Sequence, residues 1–360
     1  AGDCEPGDYA AGGGVVEVKW DCLDDQGKPV APGAYAVRGL SHSGLSAEYE
    51  QCFYNPGTPP WPTQDGRGAW GSDHYPPSGV ACSQELTVVS WEFAEGGYAL
   101  IGIGADGRKK WSQYRGADRI AADAGFVYAF QSAGWGTMGT QADFLCRYAI
   151  SDGTPRPFTV GGKVRNLDLS LHEVLGLPAA VQVAGLAVSK GRLALSLRSG
   201  EIVVLDAGDL QVIARIPARN PAGLAFAPDG SLYALIEDTG QPVTKDVTTS
   251  GLGNSEYRDL ADGHPCRIDL IAGTAAPLTL AGLGRASAIA TDREGNLLVA
   301  DVGPDQQIKA FAADGRLVYT CGRRGGRPVR GAFHPQAMAR ISAVAVDAQD
   351  RVWVTEFHDY

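Results

Sequence analysis

The chain has 360 residues, 44% hydrophobic and 20% charged, with 48 glycines and 21 prolines. That is ample apolar material for a folded core, which excludes disorder as the main description, and the glycine and proline content points to a turn-rich β protein. A formal net charge of −10 argues against nucleic-acid and anionic-membrane binding, and no apolar run reaches the ~18 residues that a bilayer span needs.

Ala1-Gly2-Asp3-Cys4 has neither the basic start nor the apolar stretch of a signal peptide. The opening reads as the interior of a domain, and the chain stops just after a strand. It is therefore expected to be a piece of a longer or processed protein, and the lack of a leader is no argument for the cytoplasm. Residues 15–20 predict a strand. Trp20-Asp21-Cys22-Leu23-Asp24-Asp25-Gln26-Gly27 then makes a turn, and Pro32, Gly33 and Tyr35 start a hairpin that leads into a further strand. Asp21, Asp24 and Asp25 read as turn formers rather than calcium ligands. This run resembles the C-terminal half of an FlgD-type immunoglobulin-like domain, with Cys22 where that family has glycine. The resemblance implies a partial Ig-like β segment over residues 1–40 in an exported, multi-domain bacterial protein. Its implied location is extracellular, at the cell surface or periplasmic.

Residues 41–80 form a connector rich in proline, glycine and aromatic residues. Proline fixes φ and removes donors, so a regular helix or central strand is excluded here. The tryptophans and tyrosines predict an ordered loop packed on the next domain. Ser41-His42-Ser43 lacks a nucleophile elbow. Asp73 and His74 together supply too few ligands for a metal and read first as pinning the loop. With Trp61 and Trp70, two candidates for sugar stacking, they make up the candidate ligand-binding set.

From about residue 81 a unit recurs: apolar strand, tight turn containing Asp-Gly or its equivalent, apolar strand, then a second hairpin. Its clearest copies cover residues 223–234, 288–301 and 343–356. Two hairpins per unit make a four-stranded antiparallel sheet, the repeat of a β-propeller blade. Blades are expected to begin near residues 81, 117, 181, 221 and 286, and a partial sixth covers about 332–360. The fold class is thus all-β, a propeller of about six four-stranded blades over residues 81–360 whose last blade is incomplete. A further segment or another chain is expected to complete that blade, because an open sheet edge invites strand pairing. Asp292, Gly295, Asn296, Ala300 and Asp301 carry a resemblance to the NHL family of propellers. Residues 99–111 look more like a quinoprotein-type repeat. Within them, residues 102–107 spell GxGxxG, but strand-like residues follow where a dinucleotide site needs a helix, so Asp106 and Gly107 read as a hairpin turn.

Seven cysteines, at positions 4, 22, 52, 82, 146, 266 and 321, form no CxxC and show no zinc spacing. They read mainly as small buried side chains, and their odd number leaves at least one thiol unpaired or bridged to another chain. Trp91 and Trp111 read as core.

In a propeller, the loops after each second strand and before each innermost strand share one face around the axis. This placement assembles a candidate site from separate blades. His334, Arg340, Glu356 and His358 are the candidate catalytic residues, and Asp301, Asp238 and Glu356 are candidate ligands for a divalent metal such as calcium. The expected function is an exported, non-catalytic binding or assembly module that presents a face to a glycan, peptide or partner subunit. The resemblance also admits an alternative, a carbohydrate- or lactone-active hydrolase or lyase with a metal or a His/acid site at the mouth. NHL-like relatives include a peptide-amidating lyase, and the related gluconolactonase propellers bind a divalent metal at the axis. Whether the chain is an enzyme stays open at this point.

Overall fold

The computed structural model describes residues 20, 22–24, 28–36, 71–72, 76–94, 97–132, 143–237, 263–327 and 334–356. The chain divides into two compact units, Ala1–Glu50 and Gln51–Tyr360.

In the first unit Leu23 and Pro29 form an antiparallel bridge. It is closed by Asp24 N–H donating to the Lys28 carbonyl at 2.8 Å and Val30 N–H donating to the Cys22 carbonyl at 3.0 Å. Cys22 has φ 64°, the left-handed region that a glycine occupies most readily. Trp20 and Tyr35 meet edge to face, ring centroids 4.9 Å apart.

Among the described residues, the regular structure of the second unit is strand apart from one five-residue helix. Blade one comprises β1 (Gly79–Cys82), β2 (Leu86–Ser90), β3 (Leu100–Gly104) and β4 (Lys109–Gln113). Blade two has β5 (Arg119–Ala122), β6 (Phe126–Gln131) and β7 (Phe144–Ala149). A small hairpin, β8 (Thr159–Val160) with β9 (Lys163–Val164), precedes its short outer strand β10 (Leu169–Ser170), and helix α1 (Leu171–Leu175) follows. Blade three holds β11 (Val183–Ser189), β12 (Arg192–Leu197), β13 (Glu201–Asp206) and β14 (Val212–Pro217). Blade four holds β15 (Pro221–Phe226), β16 (Leu232–Ile236), β17 (His264–Asp269) and β18 (Thr274–Pro277). Blade five holds β19 (Ala286–Thr291), β20 (Leu297–Asp301), β21 (Gln307–Phe311) and β22 (Leu317–Cys321). The last sheet has only β23 (Ile341–Val346) and β24 (Val352–Glu356). Five sheets are therefore four-stranded and antiparallel, and the sixth is two-stranded among the described residues.

Innermost strands β1, β5, β11, β15, β19 and β23 touch one another in that order, and β23 returns to β1. The ring is closed: a β-propeller. Interior strands such as β12 and β13 are buried along nearly their whole length because both faces of each sheet are covered by neighbouring sheets. One apolar cluster fills each gap between successive blades. Leu193, Leu195 and Val203 pack with Tyr128 and Phe130 between blades two and three, and Val80, Val89, Ile101 and Ile103 pack with Ala345 between blades one and six. Outer strands are more open, as Val212, Ile213, Leu317 and Val318 show.

In blades two, five and six the aspartate of the inner turn is a backbone cap. Asp123 Oδ1 accepts from the Gly125 and Phe126 amides, both at 2.8 Å. Asp292 Oδ1 accepts from Asn296 at 2.8 Å, and Asp347 Oδ1 accepts from Gln349 and Arg351 at 2.9 Å. The other carboxylate oxygen receives an aromatic donor. Tyr128 OH reaches Asp123 at 3.2 Å, Tyr319 OH reaches Asp292 at 3.1 Å, and Trp353 Nε1 reaches Asp347 at 2.8 Å. This ties the turn to the strands beside it.

Within residues 102–107 the end of β3 runs into a tight turn toward β4, closed by Gly107 N–H to the Gly104 carbonyl at 2.9 Å. Gly102 leaves room for the Trp111 indole, which would lie 2.3 Å from an added Cβ. Trp111 is buried, and its Nε1 donates to the Ile150 carbonyl at 2.8 Å. Trp91 is buried too. Gly185 allows β11 to approach β15 closely, since an added Cβ would meet the Ala222 carbonyl oxygen at 2.1 Å. Gly185→Ala should therefore cost about 1–3 kcal/mol by forcing two blades apart. Urea unfolding checks this, and an unchanged midpoint would mean that the strands do not approach so closely.

Candidate functional site

Pairings of Ala286 with Asp301 and of Ile341 with Glu356 place the start of each innermost strand beside the end of its neighbour. The loops at these ends form one face around the axis, and a repeated device holds them. In blade five, Asp301 is fully buried. Its Oδ2 accepts the Gly284 amide at 2.9 Å, while Oδ1 accepts the Arg285 amide at 3.0 Å and the Gly303 amide at 2.9 Å. In blade six, Glu356 Oε1 accepts the Ala339 amide at 2.7 Å and Oε2 accepts Arg327 at 2.5 Å. In blade four, Glu237 accepts the Asn220 side-chain amide. Each carboxylate thus ties the loop entering its own blade to the end of the second strand.

Asp301 has a fourth donor. Lys309 Nζ lies 2.6 Å from its Oδ2 and 2.6 Å from Asp305 Oδ2, and Arg324 Nε lies 2.8 Å from Asp305 Oδ1. Burial alone would raise the Asp301 pKa, but the three amides and the ammonium hold it below its ordinary 3.8. Burial would likewise lower Lys309, and the two carboxylates raise it above its ordinary 10.5.

These contacts bear on the residues singled out from sequence. Asp301 does not suit a divalent cation: three amides and an ammonium already meet its two oxygens, and a metal there would face Lys309. Among the described residues no three His, Cys, Asp or Glu side chains are grouped to hold a metal. Glu356 is engaged with Arg327 and the Ala339 amide. Arg340 has φ 50°, and its amide donates to Gln306 Oε1 at 3.0 Å, tying blade six to a blade-five loop. His334 is exposed, and its Nδ1 accepts the Gln336 amide at 3.1 Å within its own turn. Trp61, Trp70, Asp73, His74, Asp238 and His358 lie outside the described residues.

Sequence reasoning missed a further pair on this face, Asp143 and His172. Asp143 stands at the entry to β7, and His172 lies in the connector that leads to β11. Imidazole Nδ1 is 2.8 Å from Asp143 Oδ1 and 2.9 Å from Oδ2. The residues are too far apart in the chain for a local motif to link them. The signal was topological: both stand in loop positions of the kind that singled out Asp301.

The described cysteines, Cys22, Cys82, Cys146, Cys266 and Cys321, are free thiols. Burial pushes the Cys82 and Cys146 thiols up to about 12, and the Asp168 carboxylate adds to this at Cys146. Both remain protonated and unreactive at neutral pH.

No family model matches the chain, and no curated protein matches it. Among solved structures it is similar to a gluconolactonase of Xanthomonas campestris, with 14% identity, 80% of this chain and 84% of that chain covered, and a TM-score of 0.47. A protein of unknown function from Bacteroides thetaiotaomicron has 12% identity, covers 81% of this chain and 69% of its own, and gives a TM-score of 0.53. The latter likeness supports the propeller fold and nothing finer.

Two outcomes follow from these contacts. Stability should fall below about pH 4, as Asp301, depressed in the folded state, takes up its proton. It should also fall above about pH 10.5, as Lys309, raised in the folded state, loses its proton. Asp301→Asn should flatten the acid limb of a stability–pH profile, and Lys309→Met should cost about 3–5 kcal/mol by leaving a buried carboxylate without its cation. In peptide mapping after native alkylation at pH 8, Cys22 should react before Cys82 and Cys146.

Proposed function

We propose that this chain is an exported binding or assembly module whose propeller presents its loop face to a glycan, peptide or partner subunit. The observation that carries this reading is the occupation of the mouth carboxylates: Asp301 and Glu356 are bound to the chain's own amides and cations. They act as loop ties, which a rigid display surface needs and a metal centre does not. The two-stranded sixth blade adds a second feature suited to assembly. Among the described residues no strand pairs with the outer edge of β24, and a segment of this or another chain supplies the missing strands in this reading.

The finer family reading rests on residues. The turn in which Asn296 donates to Asp292 supports an NHL-like propeller, and the left-handed backbone angle of Cys22 supports an FlgD-type segment, where that family carries glycine. Export, and contact of Trp61, Trp70, Asp73 and His74 with the ligand, belong to the same proposal.

Metal content and thermal unfolding with and without chelator test it, together with a glycan and peptide array. A metal-free protein whose melting ignores chelator and which retains an array ligand is expected. Replacing both Trp61 and Trp70 by alanine should weaken that binding at least about tenfold, as loss of aromatic anchors does. One tightly held divalent ion per chain, with melting that drops on chelation, would instead return the hydrolase or lyase reading.

A further inference from the structure

Beside the carboxylate ties, the described residues of the loop face carry one acid–base pair whose imidazole has a nitrogen to offer. Asp143 is 1% exposed. Its Oδ2 accepts the His172 amide at 2.7 Å and the Val181 amide at 3.1 Å, and its backbone carbonyl accepts the Leu171 amide at 2.8 Å. Leu171 and Leu175 of α1 are buried in the cluster between blades two and three, which fixes the helix that carries His172. Gly176 ends that helix in the left-handed region at φ 68°.

The carboxylate offers only acceptors, so the imidazole meets it with a proton on Nδ1, and Nε2 then carries the outward lone pair. Nε2 has no hydrogen-bond partner among the described residues, and the His172 side chain is 27% exposed while that of Asp143 is 2% exposed. Two backbone amides already tether this connector to Asp143, so the tether does not need the ring. What the Asp143–imidazole contact adds is a fixed ring orientation and a basic nitrogen turned toward solvent.

We propose that Asp143 and His172 form a proton-transfer pair on the loop face, with His172 Nε2 as the base that activates water against an acyl ester. The water O–H bond breaks and its proton passes to Nε2. The freed electron pair forms a bond to the acyl carbon as the carbonyl π pair moves onto oxygen. When that intermediate collapses, the bond from the acyl carbon to the alcohol oxygen breaks, and the imidazolium returns its proton to the leaving oxygen. Asp143 is a positioning residue that holds the ring and faces the positive charge it acquires. This activity goes beyond the binding role and does not rest on it.

The test uses the full chain with p-nitrophenyl acetate at neutral pH. Hydrolysis above the buffer rate is expected, with a solvent deuterium isotope effect from the proton in flight. His172→Gln should lower it about 100-fold, the usual size of a general-base contribution, without moving the melting temperature. Asp143→Asn should lower it about tenfold or more and change the imidazole nitrogen-15 shifts of His172. If Asp143→Asn does not fold, those shifts in the unaltered protein decide. A protonated Nδ1 with a bare Nε2 supports the pair, and a protonated Nε2 with a bare Nδ1 overturns it. A rate no greater than that of buffer, or one unchanged in His172→Gln, also overturns it. Either failure leaves the chelator and array results standing on their own.

Discussion

Every sheet in this propeller has two apolar faces, and the rest of the structure depends on covering both. A single blade leaves both faces wet, and an open row of blades still leaves one at each end. Only a ring removes all exposed faces. The apolar clusters, one between each pair of adjacent blades, are that solution, with the cluster of Val80, Ile101 and Ala345 closing blade six onto blade one. Closure holds although the sixth blade has only β23 and β24 among the described residues, because the innermost strands and their neighbours carry the contact across the gap.

With the faces buried, the blade ends must satisfy backbone donors that the sheets leave over, and acidic side chains do this at both ends. Asp123, Asp292 and Asp347 cap the inner turns, while Asp301 and Glu356 tie the loops of the opposite face. A carboxylate suits this role because its oxygens accept several N–H groups at once and its charge strengthens each bond. Asp301, buried with Lys309, is the extreme case, and its partners explain why it remains ionised away from water. The acidity of the loop face is largely absorbed by the chain itself. That face is therefore held as a rigid set of loops, and Asp143 and His172 add a directed imidazole to it.

The fold was largely legible in the sequence, the roles within the mouth much less so. Repeated Asp-Gly turns between apolar strands marked the blades, and the expected starts near 81, 117, 181, 221 and 286 compare with strands that begin at Gly79, Arg119, Val183, Pro221 and Ala286. That pattern is local, because turn chemistry and alternating strands act over a few residues. Asp301 was placed at a strand end on the mouth, but its partners Gly284, Arg285 and Lys309 come from other strands and loops, so its saturation was invisible. His334 looked like a reactive imidazole, and it caps its own turn through Nδ1.

By itself, then, the sequence determined an all-β propeller of repeated hairpins and the residues that stand at each end of the strands. Turn preferences and strand periodicity are written along the chain and need no distant partner. Tertiary structure decided which polar groups are saturated and which are left to act. It joined Asp301 to Lys309 and three amides, and it brought Asp143 under His172 with Nε2 turned outward. Hydrogen-bond saturation is a property of neighbours in space, and ring closure alone determines who those neighbours are.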